Sequence, residues 1–200
     1  MNEKTATIQS GLFDDDVFVL GIPGLTYELE FLTREEEASI IEVIKTLPLR
    51  AAEYKEYLAR RRVMSFGGSY DFDTNELLPT QALDTRLQLL RERVAKWDKV
   101  APESLIHALV AEYNPGTSLG WHRDVPNFEH IFGVSLGGCA TLRFRPYPYR
   151  PESLRHVASM EVRPRSLYCI RGDARWKWQH SVYETNELRW SITFRDFKRT

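Results

Sequence analysis

Arg189-Trp190-Ser191-Ile192-Thr193-Phe194-Arg195 alternates apolar and polar side chains without a break, the period of a β-strand with one face in a core. Trp190, Ile192 and Phe194 make the apolar face, and Arg189, Ser191, Thr193 and Arg195 make the other. A face with two guanidinium groups and two hydroxyls is either a solvated edge or the wall of an anion pocket. The pocket reading draws on arginine's planar fork, which matches a carboxylate in bidentate fashion.

Upstream of this strand, from residue 105 on, short apolar runs alternate with turn clusters of Gly, Pro and Asn. The runs are LIHALVAEY (105–113), HIFGVSL (130–136), ATLRFR (140–145) and SLYCI (166–170). Such spacing predicts a mostly antiparallel sheet. Residues 143–165, rich in Arg and Pro, read as a long exposed excursion from it. The first hundred residues follow another period. Thr33 and Glu36 form a capping box ahead of Ile40, Ile41, Val43, Ile44 and Leu47, and Pro48 ends that helix. Leu83, Leu87, Leu90, Val94 and Trp97 recur at helical spacing and predict a second helix over 81–97. Helices first and strands afterwards predict an α+β domain, with helices covering one face of a sandwich or barrel. A jelly roll is the common closed solution.

The chain has 200 residues, 42% hydrophobic and 28% charged, enough to bury a sizeable core in one domain. Two cysteines, Cys139 and Cys169, make no disulfide framework. They read as small strand-packing side chains of a cytoplasmic protein. The absence of a basic-then-apolar leader and of a long apolar run argues against secretion and membrane spanning. The net charge of −1 conceals a gradient: residues 1–56 hold 5 Lys+Arg against 12 Asp+Glu, whereas residues 141–200 hold 13 against 6. A basic last third leaves room for an anionic partner even in a near-neutral chain.

Of five histidines, one lies in a short metal-ligand pattern, His122-Arg123-Asp124. On an extended segment, residues two apart share a face roughly 6.6 Å apart, close enough for both side chains to reach one ion. An imidazole from a neighbouring strand completes a two-His-one-carboxylate triad, which leaves open positions on Fe(II) for a cosubstrate and oxygen. His180, in Trp178-Gln179-His180-Ser181, is the best-placed candidate.

Several motifs in order resemble the AlkB family of Fe(II)/2-oxoglutarate-dependent dioxygenases. They are Tyr113-Asn114-Pro115-Gly116, His122-x-Asp124, Ile131-Phe132-Gly133-Val134-Ser135-Leu136-Gly137, Ala174-Arg175-Trp176-x-Trp178-x-His180 and Arg189-x-Ser191-x-Thr193-Phe194-Arg195. Upstream, Gly24-Leu25-Thr26-Tyr27, Phe31-Leu32-Thr33 and the segment 61–70 resemble that family's N-terminal extension. The resemblance implies a double-stranded β-helix, or jelly-roll, core over 105–200. It also implies an N-terminal extension over 1–104 with a nucleotide-recognition segment at about 58–80, within one compact domain. Catalytic His122, Asp124 and His180 are then the Fe(II) ligands. Arg189 holds the far carboxylate of 2-oxoglutarate with Tyr113 and Ser191, and Arg195 assists the near one. The implied reaction consumes O2 and converts 2-oxoglutarate to succinate and CO2. It hydroxylates an N-methyl group of an alkylated base in DNA or RNA, which then leaves as formaldehyde.

Three positions depart from the family pattern: Ala111 and Ser191 each stand where many members have Asn, and Val125-Pro126 replaces an acidic residue that helps to recognise methylated bases. These departures bear on cosubstrate contacts and substrate more than on iron. A duplexed base cannot reach buried iron, so the implied partner is single-stranded or flipped-out nucleic acid, bound by a monomer. Tyr70 and Phe72 offer stacking surfaces, while Arg62, Arg145 and Arg150 offer charge for phosphates, and Arg175 reaches either substrate or a carboxylate behind the metal ligands. The alternatives are a solvated arginine face and tyrosines packed on their own domain. Two other functions remain open on the sequence: a 2-oxoglutarate-dependent hydroxylase or demethylase of a protein or small molecule, and a non-catalytic nucleic-acid-binding jelly roll.

Overall fold

The computed structural model describes residues 19–54, 57–71, 76–151 and 156–197. In chain order the elements are β1 (Leu25–Glu28), α1 (Arg34–Thr46), β2 (Arg50–Tyr54), β3 (Tyr57–Phe66), β4 (Ser69–Asp71), β5 (Glu76–Leu78), α2 (Gln88–Trp97), β6 (His107–Tyr113), β7 (Leu119–His122), β8 (Phe128–Gly137), β9 (Ala140–Pro146), β10 (Ala158–Val162), β11 (Ser166–Ile170), α3 (Gly172–Trp176), β12 (Trp178–Val182) and β13 (Arg189–Phe197). They form a jelly roll of two antiparallel sheets. A seven-stranded sheet runs β1-β11-β8-β13-β6-β3-β2 and a four-stranded one β10-β9-β12-β7, with β4 and β5 paired separately. Phe72 lies outside the described residues.

Helix α1 starts where the capping box predicts. Thr33 Oγ1 accepts from the Glu36 amide at 3.2 Å, and the Glu36 carboxylate accepts from the Thr33 amide at 2.7 Å. Helix α2 begins later than its apolar spacing predicts, because the Asp84 carboxylate caps a 3-10 turn at Thr85–Leu87 ahead of it. Leu87, Leu90 and Val94 still face the sheet as the period requires. They bury with Ile44 against Trp190, Ile192 and Phe194 in the core between the helices and the large sheet. The opposite face of that sheet packs on the small one through Ala111, Phe128, Ile131, Leu142, Phe144 and Val182.

Two expectations change. The segment 143–165 is not a simple excursion, because Ala158–Val162 pairs back on β9. Cys139 is exposed between β8 and β9, and only Cys169 packs in a strand. Among the described residues, no helix is long and apolar enough to cross a membrane.

A polar pair pins the far end of β13: the His130 amide and Nδ1 both meet the Asp196 carboxylate, at 2.8 and 2.7 Å. This hydrogen bond raises the His130 pKa above its ordinary 6.5, against the opposing effect of burial. A group bound more tightly in its protonated form stabilises the fold fully below its unfolded pKa, and that contribution fades as pH rises through the raised value. Denaturant midpoints are therefore expected to fall as pH climbs above 6.5. In Asp196→Asn this part of the pH dependence should disappear, as measured by urea unfolding across that range.

Candidate functional site

Strand β13 lies between β6 and β8, with Arg189 opposite Tyr113, Ser191 opposite Ala111 and Ser135, Thr193 opposite Leu109 and Gly133, and Arg195 opposite His107 and Ile131. Pleating turns this polar row toward the small sheet. There Arg189, Ser191, Thr193 and Arg195 line a cavity of about 1190 Å³ between the sheets. The solvated-edge reading of the alternating strand therefore falls, and its polar face is a cavity wall.

The small sheet supplies the other wall. His122 and His180 are direct cross-strand partners on β7 and β12, a spacing that brings side chains together, and their ring centres are 4.2 Å apart. Asp124 follows β7 and points back, its Oδ2 3.5 Å from His180 Nε2. One ligand atom from each of His122, Asp124 and His180 lies within 4.8 Å of the others. His122 Nδ1–H donates to the Gly120 carbonyl at 2.8 Å, which leaves Nε2 as the free lone pair for a metal. Burial, together with the charge of neighbouring groups, pushes His180 down to about 3, and burial likewise lowers His122. Both imidazoles are thus neutral, the form a metal requires. Burial alone would raise Asp124, but the charge of Arg195 overcomes it and holds the carboxyl well below its usual range.

Arg195 is the main anchor of that carboxylate. Its Nε and Nη2 both reach Asp124 Oδ1, at 2.9 and 2.8 Å. Its Nη1 donates to His107 Nδ1 at 3.2 Å, and burial with the Arg195 charge keeps that imidazole neutral, its pKa pushed down to about 3. The family resemblance places Arg195 on the near carboxylate of 2-oxoglutarate; in the structure its fork grips the Asp124 carboxylate. Arg175 is also turned away from any substrate. It is 2% exposed and donates to the main-chain carbonyls of Asp124, Val125 and Phe128, so it fixes the backbone that carries Asp124.

Arg189 is equally buried but differently partnered. Its Nε donates to Ser135 Oγ at 3.0 Å, its guanidinium carbon stands 5.1 Å from the centre of the Tyr113 ring, and its Nη1 is buried with no hydrogen-bond partner among the described residues. An unmet cationic donor in a cavity calls for an anion. A dicarboxylate fits there, and three converging N/O donors fit Fe(II).

The register brings in residues that the sequence reading missed. Tyr168 lies opposite Gly133 on β11 and lines the cavity. Burial pushes its phenol up to about 12, so it remains a donor. A Cβ on Gly133 would stand 2.1 Å from Tyr168 Cζ and 2.4 Å from its hydroxyl. Gly133→Ala is expected to cost about 1–3 kcal/mol through overpacking and to drive the ring toward the cosubstrate pocket. Denaturant unfolding together with the KM for 2-oxoglutarate will check both effects.

Strands β3 and β2 continue the large sheet beyond β6. Arg50, Arg60, Arg61 and Tyr70 line the cavity, and Arg61 Nε is buried with no hydrogen-bond partner among the described residues. Arg62, named from the sequence, sits on the other side of β3. It pairs with Glu112 at 2.8 Å, whose second oxygen accepts from Trp190 Nε1 at 3.1 Å. Its neighbour Arg61 is on the cavity side in its place. Arg145 lies on the outer face of the small sheet, and Arg150 is exposed past the end of β9; neither lines the cavity.

A two-sheet cavity with a two-His-one-Asp cluster on one wall and an arginine with an unmet Nη1 on the other is the arrangement expected of a jelly-roll metal oxygenase with an acidic cosubstrate. The sequence matches the 2OG-Fe(II) oxygenase superfamily over residues 30–195, and the chain belongs to that family, whose members use Fe(II), 2-oxoglutarate and O2. Among curated relatives, the alkylated DNA repair protein ALKBH8 homolog of Arabidopsis thaliana is 27% identical over 186 residues, covering 82% of this chain and 51% of that protein. The chain spans about half the length of the curated relatives it matches. Two solved structures share the fold. OsALKBH1 has a TM-score of 0.66 at 15% identity, covering 87% of this chain and 97% of that one. A Pseudomonas putida prolyl-4-hydroxylase has a TM-score of 0.58 at 14% identity, covering 88% and 93%.

Proposed function

We infer that this chain is an AlkB-type enzyme that oxidatively demethylates alkylated bases in single-stranded or flipped-out DNA or RNA. The observation that carries this reading is that an aromatic ring, Tyr70, and the arginines Arg50, Arg60 and Arg61 line the same cavity as His122, Asp124 and His180. A flat base with a phosphate beside it needs that combination of stacking surface and cation. The kinship to a protein named for alkylated DNA repair points the same way.

His122, Asp124 and His180 would hold Fe(II), and Arg189, with the Tyr113 and Tyr168 hydroxyls beside it, would hold 2-oxoglutarate. When bound, this pair and O2 supply the oxidation of a substrate C–H bond, with succinate and CO2 as by-products. The protein's own residues position and shield. Arg195 fixes the Asp124 carboxylate, and Arg175 fixes the loop behind it. Arg189 and Ser191 orient the cosubstrate's far end, while Tyr70 and Arg61 seat the base. A hydroxylated N-methyl group then collapses to formaldehyde and the free base.

The test supplies the purified chain with Fe(II), ascorbate, 2-oxoglutarate and oligonucleotides bearing 1-methyladenine, 3-methylcytosine or wobble modifications. Loss of a methyl mass with formaldehyde in step with succinate is expected. Succinate without any nucleic-acid product, together with turnover on a peptide or small molecule, would overturn the base assignment. Absence of both iron binding and turnover, with nucleic-acid binding retained, would leave a non-catalytic binding jelly roll.

A further inference from the structure

The outer face of the four-stranded sheet, turned away from the iron ligands, carries a stack of alternating aromatic rings and guanidinium groups in the order Tyr183, Arg143, Trp121, Arg145, Tyr149. Arg143 Cζ stands 4.9 Å from the Tyr183 ring centre and 5.0 Å from that of Trp121. Arg145 Cζ stands 4.6 Å from Trp121 and 4.2 Å from Tyr149. Beside the stack, Arg123 lies 3.6 Å from the centre of Tyr147. The register builds this arrangement. Arg143 faces Ser181 and Arg145 faces Gln179 across β9 and β12, and each Nε–H donates to the side chain opposite, at 3.0 and 2.8 Å.

An arginine held by a ring on either side and by one Nε–H bond has lost most of its rotamer freedom before any ligand arrives. Its Nη groups remain the natural contacts for a bidentate oxyanion. Among the described residues neither Arg143 nor Arg145 has a carboxylate partner, and the carboxylate that the register places on this face, Glu161 opposite Thr141, is paired with Arg163 at 2.6 Å. The two arginines are two residues apart on one strand, roughly 6.6 Å, comparable with the step between phosphates of an extended single strand. At the ends of the stack Tyr149 and Tyr183 are 43% and 55% exposed, leaving ring surface for bases. Strand β7 is the outer edge of this sheet, and Leu119, Gly120 and Trp121 also border the cavity. A chain lying on the stack thus has a short way over that edge to the iron ligands.

We propose that this arginine–aromatic stack is a binding track for the backbone of a single-stranded nucleic acid, outside the catalytic cavity, which holds the strand while one nucleotide enters over the β7 edge. The proposal rests on the nucleic-acid reading of the cavity but involves different residues. Phosphate fits this surface better than an acidic peptide does, because the exposed rings at its ends match bases and not carboxylates.

The experiment is fluorescence anisotropy of the full chain with a labelled, unmodified single-stranded oligonucleotide over a salt series. Wild type, Arg143→Gln/Arg145→Gln and Tyr149→Ala would be compared. Loss of two phosphate contacts is expected to weaken binding at least tenfold at low salt and to reduce the slope of log affinity against log salt by roughly 1.4. Tyr149→Ala, at an exposed site, is expected to weaken binding with little change of slope. Uncoupled 2-oxoglutarate turnover without nucleic acid should be unchanged in all three, which also reports that the fold is intact. Unchanged affinity and slope in the double variant, with wild type still demethylating the oligonucleotide, would overturn the track and leave the cavity reading standing. A wild type that ignores the oligonucleotide and binds an acidic peptide or anionic vesicles through the same arginines would overturn the nucleic-acid assignment of this surface.

Discussion

Arg189→Met should raise the 2-oxoglutarate concentration required for half-maximal turnover by roughly two to three and a half orders of magnitude, while Fe(II) binding stays near its wild-type level. Arg189 is 2% exposed, and its Nη1 has no hydrogen-bond partner among the described residues. A carboxylate docked there is a buried ion pair, and removing one member of such a pair costs about 3–5 kcal/mol, where each 1.4 kcal/mol is tenfold in affinity. Methionine keeps much of the side-chain volume, so Ser135 and Tyr113 lose a polar neighbour without a large void opening. Succinate formation as a function of 2-oxoglutarate gives the measurement. An unchanged KM would remove Arg189 from the cosubstrate site.

Arg195→Ala has the second large effect, and it depends on metal. The Arg195 and Asp124 side chains are only 9% and 8% exposed, so the substitution strands a buried carboxylate beside two neutral imidazoles. Without metal, the fold is expected to lose about 3–5 kcal/mol. A bound divalent ion restores a counter-charge to Asp124, so the loss should shrink when Fe(II), or Mn(II) as a redox-silent substitute, is present. Metal affinity itself should fall about 10–100-fold, as it does when an outer partner of a ligand is removed. Urea unfolding with and without Mn(II) reads the first effect, and metal titration reads the second. Equal destabilisation in both conditions would mean that Arg195 supports the fold without tuning the ligand.

What the sequence made legible was local. The seven-residue alternation on β13 and the Thr33–Glu36 cap are patterns within a few residues and occur in the structure as read; the His-x-Asp pair converges with His180 although Asp124 lies past the end of β7 and not on an extended strand. What it hid depends on register between strands distant in the chain. Arg62 meets Glu112 because β3 pairs with β6 in one register, and this turns Arg61, not Arg62, toward the cavity. Tyr168 enters the pocket because β11 places it against a glycine on β8. Its run, Ser166-Leu167-Tyr168-Cys169-Ile170, is apolar or small throughout, so no alternation marks the face. The partner of Arg195 was hidden too. A carboxylate 71 positions upstream takes the charge that the strand alone assigned to the cosubstrate.

The claim that everything else rests on is that His122, Asp124 and His180 hold Fe(II) while Arg189 anchors a chelating 2-oxo acid. Anaerobic addition of Fe(II) and then 2-oxoglutarate to the purified chain, followed in the visible spectrum, tests it directly. A metal-to-ligand charge-transfer band should grow in at one Fe(II) per chain, vanish in His180→Ala, and need far more 2-oxoglutarate in Arg189→Met. A wild-type chain that binds Fe(II) but develops no band at saturating 2-oxoglutarate, or whose band survives His180→Ala, would contradict the account.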